Sequence, residues 1–111
     1  MTSGPAPSSA PADLLALTRD LVAVPSESHH EAELVDWLEA QLRAVPWLMV
    51  DRVGLNLVAR TELGRPTRVL LAGHTDTVPA NDNQVPRVEG DVLWGLGSTD
   101  MKAGLVVMVD L

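Results

Sequence analysis

The chain has 111 residues, with 8 basic and 15 acidic side chains, a formal net charge of −7 and 46% hydrophobic residues. One ordinary domain is therefore the upper limit, and the apolar fraction is high enough to build a core. The acidic balance argues against nucleic acid or an anionic membrane surface as a partner, and the absence of cysteine excludes a disulfide scaffold and a thiol nucleophile.

The first eleven residues are mainly Ser, Ala, Gly and Pro. Because such a segment buries little apolar surface, residues 1–11 are predicted to be a disordered tail, and residues 12–111 to form the folded part. The N-terminus lacks the basic start and apolar stretch of a secretory signal, and no apolar run approaches the ~20 residues of a membrane span. These features predict a cytoplasmic protein without a membrane partner.

Two helices are predicted next. Apolar residues at helical spacing indicate a first helix that ends near Val24, since Pro25 disfavours helix in its predecessor. Ser28 and Glu31 have the spacing of a capping box, which predicts that a second helix starts there and ends before Pro46. The apolar positions of the two helices are Leu14, Leu15, Leu17, Leu21 and Val22, then Leu34, Val35, Leu38 and Leu42.

Short β segments follow, predicted at 48–53, 55–61, 68–72 and 92–94. The segment 68–72 is apolar without alternation, as is typical of a strand buried on both faces by helices. The order of helices and strands therefore predicts an α/β sandwich.

The last segment, residues 102–111, is apolar on every side, and its valines leave helix and strand equally open. Either element would have to be buried. The sequence reaches Leu111 without Gly, Pro or another terminating signal, so we expect the polypeptide to be cut short within a regular element.

Polar residues that could carry chemistry come directly after the predicted buried strand, in the stretch from Gly73 to Pro79. Ligands bind beyond the carboxyl ends of strands in open α/β sheets, so His74 and Asp76 lie where a site is expected. In extended chain, residues i and i+2 point to the same side. The Asp76 carboxylate could then hold one nitrogen of His74 while the other nitrogen faces a metal. The alternative is a polar loop with a solvated histidine.

A second polar stretch runs from Gly95 to Gly104. Its glycines do not follow the Walker spacing, which argues against nucleotide binding. Asp100 is either a metal ligand or the N-cap of the segment that follows. His29 and His30 are interpreted as a solvated pair, Trp37, Trp47 and Trp94 as core or sheet-covering residues, and Asp82 and Asp91 as turn formers.

Together the two stretches resemble the signature motifs of the zinc-dependent aminoacylase, carboxypeptidase G and succinyl-diaminopimelate desuccinylase family. The first, Gly-His-x-Asp-x-Val-Pro, matches residues 73–79, and the second, Gly-x-Gly-x-x-Asp-Met-Lys-x-Gly, matches residues 95–104. Residues 56–61, 63–66 and 90–95 are similar to the actinobacterial succinyl-diaminopimelate desuccinylase group within that family. The resemblance extends from about residue 11 to the end of the chain.

This resemblance implies a three-layer α/β/α zinc-peptidase-like catalytic domain, with this chain supplying its N-terminal part and strands of a mixed sheet. It implies that His74 is a terminal metal ligand, that Asp100 bridges two divalent ions, zinc or cobalt, and that Asp76 is the catalytic residue that orients His74. Imidazole nitrogen and carboxylate oxygen are suitable ligands for zinc. The resemblance also implies a cis peptide bond between Asp100 and Met101.

The implied reaction is amide hydrolysis, with N-succinyl-LL-2,6-diaminopimelate as the expected substrate and a homodimer as the expected complete enzyme. Other N-acyl amino acid deacylases and peptidases, such as acetylornithine deacetylase, a dipeptidase or a carboxypeptidase, carry the same motifs. A non-catalytic remnant or interaction module is an alternative of another class. The general base and further ligands of the family are expected beyond Leu111, so we predict no hydrolysis by these 111 residues alone.

Overall fold

The computed structural model describes residues 13–111, so the predicted tail at residues 1–11 lies outside the described part. Helix α1 spans Leu14–Ala23, and the Asp13 carboxylate at its N-cap accepts a hydrogen bond from the backbone N–H of Ala16. The backbone becomes extended at Val24, immediately before Pro25, as predicted. Proline therefore ends α1 at the point from which the chain turns towards the candidate site.

Helix α2 spans Ala32–Arg43 and ends before Pro46, as predicted, but its start differs from the prediction. The capping box is wrong: Glu31 is the N-cap residue and makes no side-chain cap bond. The Ser28 hydroxyl instead donates to the Asp76 carboxylate, 48 positions further along the chain. The Ser28 hydroxyl therefore forms a tertiary hydrogen bond instead of the N-cap bond that its spacing from Glu31 predicted.

Two antiparallel hairpins contain the strands. Strand β1, Met49–Val53, pairs with β2, Asn56–Arg60, and strand β3, Arg87–Glu89, pairs with β4, Val92–Trp94. Both connections are tight turns that use a glycine with positive φ. Strands β1, β2 and β4 lie close to predicted segments, whereas β3 was not predicted. Asp91 lies in the second turn, as predicted.

The buried strand predicted at 68–72 is not formed. Val69 and Leu70 are 80% and 84% exposed, and no strand among residues 13–111 pairs with this segment. A strand of this kind needs hydrogen-bonded neighbours at both edges and helices on both faces, and the described residues provide neither at this position. The described part of the chain thus combines helices with small antiparallel strand pairs.

The core lies where the three helices meet. The C-terminal segment, for which the sequence left helix and strand equally open, is a helix: α3 spans Ala103–Asp110. This helix packs against α1. The buried side chains of this cluster are Leu21, Leu34, Leu38, Leu105 and Val106. No helix in residues 13–111 is long and apolar enough to cross a bilayer.

The tryptophans only partly match their prediction. Trp37 packs against the core, whereas Trp47 and Trp94 are exposed. The Arg87 guanidinium lies over the Trp94 ring, 5.4 Å from its centroid, so this indole contacts a cation instead of the core. The prediction of a core position is wrong for Trp47 and Trp94, which are 62% and 52% exposed.

Candidate metal centre

The two sequence motifs meet at one imidazole ring. The Nε2 atom of His74 lies 2.8 Å from Oδ1 of Asp100, although 26 positions separate these residues in the chain. The other ring nitrogen, Nδ1, lies 3.2 Å from Oδ1 of Asp76 and 3.1 Å from the Asp76 backbone oxygen. All three residues singled out in the sequence are therefore brought together, with the ring between two aspartates.

The loop that carries His74 and Asp76 is held by the segment that follows α1. A parallel β-bridge joins Glu27 to Thr77. In this bridge the Ser28 N–H donates to the Thr77 carbonyl at 3.0 Å, and the Thr77 N–H donates to the Ser26 carbonyl at 2.9 Å. The buried Ser26 hydroxyl adds a bond to the Thr75 carbonyl at 2.7 Å. These bonds fix the backbone on both sides of Asp76.

The loop that carries Asp100 is a widened helical turn over Ser98–Lys102, kinked at Asp100 and Met101. The peptide bond between these two residues is cis, as the family resemblance predicted. The N-cap role weighed for Asp100 is wrong, because α3 begins only at Ala103 with Lys102 at its N-cap. The exposed Asp100 carboxylate faces His74 instead.

Glycines allow the two loops to approach each other closely. Gly97 has a φ of +77°, and a Cβ at this position would lie 2.6 Å from the Thr77 methyl carbon. At Gly73 a Cβ would lie 2.7 Å from the terminal methyl of Met101. The His74 N–H lies 3.4 Å from the sulfur of that same methionine. Small residues at these positions keep the His74 loop against the Asp100 loop.

The charges around the ring act on its protonation. The Asp100 carboxylate, through its hydrogen bond, raises the pKa of His74 above the usual 6.5. The Ser28 hydroxyl, which donates to Oδ2 at 2.7 Å, holds the pKa of the Asp76 carboxyl below 3.8. Asp76 is thus an anion at neutral pH, and a proton on the ring competes with any cation that binds Nε2.

The donor atoms suit a divalent cation. Imidazole nitrogen and carboxylate oxygen bind zinc at about 2.0–2.2 Å, so two ligands of one tetrahedral ion lie about 3.3 Å apart. The 2.8 Å between Nε2 of His74 and Oδ1 of Asp100 therefore needs to widen by only about half an ångström. Residues 13–111 contain no group of three or more His, Asp or Glu arranged to hold a metal ion. The described residues thus offer two ligands.

Sequence reasoning missed two residues that support this arrangement, Ser28 and Lys102. Lys102 is 2% exposed, and its Nζ donates to the carbonyls of Leu21 and Val24 at 3.0 and 2.7 Å. Burial lowers the pKa of this lysine to about 8. The available signal was a single lysine at the start of an otherwise apolar segment, since buried lysines need partners. His29 and His30 are exposed, as predicted.

Comparison with known proteins agrees with the motifs. Residues 70–111 match the model of peptidase family M20/M25/M40. The matched residues include both sequence motifs, at 73–79 and 95–104. Over 97 residues it is 45% identical to a succinyl-diaminopimelate desuccinylase of Corynebacterium glutamicum, an alignment that covers 86% of this chain and 26% of the relative.

A succinyl-diaminopimelate desuccinylase of Dinoroseobacter shibae is 38% identical over 104 residues, covering 84% of this chain and 27% of that relative. The chain therefore spans about a quarter of the length of these curated relatives. The resemblance predicted from the two motifs is confirmed.

Proposed function

We propose that this chain forms part of a metal-dependent amide hydrolase, with His74 and Asp100 as metal ligands and Asp76 as the residue that orients His74. The observation that carries the proposal is the 2.8 Å approach of His74 Nε2 to Asp100 Oδ1. Two motifs matched independently in the sequence supply these two atoms. Their approach is what ligands of a common ion require.

Each of the three side chains has a distinct task in this proposal. A proton on Nδ1 of His74, directed at Asp76, leaves the Nε2 lone pair free for a cation. Asp100 has two carboxylate oxygens, which allow it to bridge two ions. When bound, a pair of zinc or cobalt ions would supply a water of lowered pKa and polarise the amide carbonyl.

The proposed substrate is N-succinyl-LL-2,6-diaminopimelate, which hydrolysis converts to succinate and LL-2,6-diaminopimelate. Two relatives with 45% and 38% identity bear the name of this activity, and this supports the choice over acetylornithine or a dipeptide. The three-layer α/β/α domain belongs to the same proposal, as do the homodimer and the cytoplasmic location. The exposure of Val69 and Leu70 is consistent with a surface that further strands and helices would cover.

A substrate panel on the metal-loaded protein that carries this chain tests the proposal. We expect hydrolysis of the succinyl substrate, with loss of activity in His74→Ala and Asp100→Ala. His30→Ala serves as the matched control, because this exposed histidine lies outside the site. Faster hydrolysis of N-acetylornithine or a dipeptide would overturn the substrate, and full activity in either ligand variant would overturn the site. Residues 1–111 alone should show no turnover.

A further inference from the structure

Both loops of the candidate site are bound to one short segment at the end of α1, residues 21–28, here called the anchor segment. The Asp100 loop reaches it through Lys102, whose Nζ donates to the carbonyls of Leu21 and Val24. These carbonyls lie at the C-terminus of α1, where a cation is favoured, and the Leu21 carbonyl also accepts a hydrogen bond from the Val24 N–H. The Lys102 side chain is buried, unlike the exposed Asp100 carboxylate two residues earlier.

The His74 loop reaches the same segment a few residues further on. In addition to the bridge between Glu27 and Thr77, the Glu27 carboxylate accepts a hydrogen bond from the Ala80 N–H at 2.9 Å. The Ser28 hydroxyl donates to Oδ2 of Asp76, and Oδ1 of this carboxylate faces His74. The anchor segment therefore touches the backbone of the His74 loop and the carboxylate that faces the ring.

We propose that the anchor segment sets the distance between His74 and Asp100, and that Lys102 and Ser28 are positioning residues for these two side chains. The two loops are far apart in sequence, and the segments between them include an exposed hairpin. The anchor segment contains the buried Leu21, Val22 and Ser26, so much of its bonding to the two loops is better shielded from water than the contact between the exposed side chains of His74 and Asp100. The role in metal binding rests on the proposed function, but the role in spacing does not.

The test uses five variants of the 111-residue chain and two measurements. Ser28→Ala removes the hydroxyl, Ser28→Thr retains it, and Lys102→Met replaces the ammonium with an apolar group of similar length. Leu38→Ala is the matched control, because it removes a buried core side chain of α2, an element outside both loops and the anchor segment. The ring ¹⁵N shifts of His74 are measured by NMR with a chelator present, and Zn²⁺ is then titrated into the chelator-free protein. Asp100→Asn, which removes the charge from the contact between His74 and residue 100, provides the reference ring shifts for an altered contact.

We expect Ser28→Ala and Lys102→Met to move the ring shifts towards those of Asp100→Asn and to weaken apparent Zn²⁺ binding by about tenfold or more. Ser28→Thr and Leu38→Ala should match the wild type in both measurements. Unchanged ring shifts in Ser28→Ala and Lys102→Met, or an equal displacement in Leu38→Ala, would overturn the proposal. If Lys102→Met does not fold, the comparison of Ser28→Ala with Ser28→Thr decides. A wild-type chain that binds no Zn²⁺ would count against the proposed function, and the metal-free shifts would still decide the spacing role.

Discussion

Replacing Gly97 with alanine would push the two site loops apart. A non-glycine residue with a φ of +77° costs about 1–2 kcal/mol, because its Cβ crowds the backbone. The new Cβ would also lie 2.6 Å from the Thr77 methyl carbon, where ordinary carbon contacts are about 3.5–4.0 Å. Thr77 must then move by about 1 Å, and overpacking of this kind adds about 1–3 kcal/mol. We expect Gly97→Ala to lose about 2–5 kcal/mol of unfolding free energy in total.

Gly90→Ala is the matched control for this prediction. Gly90 has a similar φ of +65°, but no atom lies within 4 Å of its Cβ position. Gly90→Ala should therefore lower the free energy of unfolding in urea only by the cost of the positive φ, about 1–2 kcal/mol. The His74 ring shifts and Zn²⁺ titration should change in Gly97→Ala and not in Gly90→Ala. Equal losses of stability in the two variants, with an unaltered ring in both, would show that contact between the loops does not set the site geometry.

Two further predictions concern the core and the pH response. Leu34 is completely buried, so Leu34→Ala should lower the free energy of unfolding in urea by about 2–5 kcal/mol. Val69→Ala, on the exposed segment, should change it by no more than about 0.5 kcal/mol. Similar losses in the two variants would contradict the described packing. Because Asp100 raises the pKa of His74, the pair should stabilise the metal-free fold most fully below about pH 6.5, and lose this contribution as the pH rises through the folded-state pKa. Asp100→Asn should lower the His74 pKa in an NMR titration. An unchanged pKa in this variant would show that the Asp100 carboxylate does not raise the pKa of His74. The effect should be small and sensitive to salt, since both side chains are well exposed.

The sequence predicted best those features that depend on near neighbours or on long motifs. Prolines marked the ends of α1 and α2, and Gly54 marked the turn of the first hairpin, whereas strand β3 of the second hairpin was not predicted. The two motifs identified His74, Asp76 and Asp100, and the structure places these residues in contact. Local chemistry and spacing were sufficient for these features.

Features that depend on distant partners were not predictable in the same way. Ser28 had the spacing of a helix cap, but its hydroxyl bonds to Asp76, and only the folded chain brings these residues together. The apolar segment at 68–72 needs strands on either side to become a strand itself, and the described part of the chain supplies none. The buried ammonium of Lys102 depends on carbonyls about 80 positions away. Periodicity contains no information about such partners.

X-ray absorption or anomalous diffraction from the zinc-loaded protein that carries this chain tests the central claim most directly. The account predicts one ion bound by both Nε2 of His74 and an Asp100 oxygen, at about 2.0–2.2 Å from each atom. An ion that binds only one of the two residues, or a zinc site elsewhere in the protein with His74 and Asp100 still in direct contact, would contradict it.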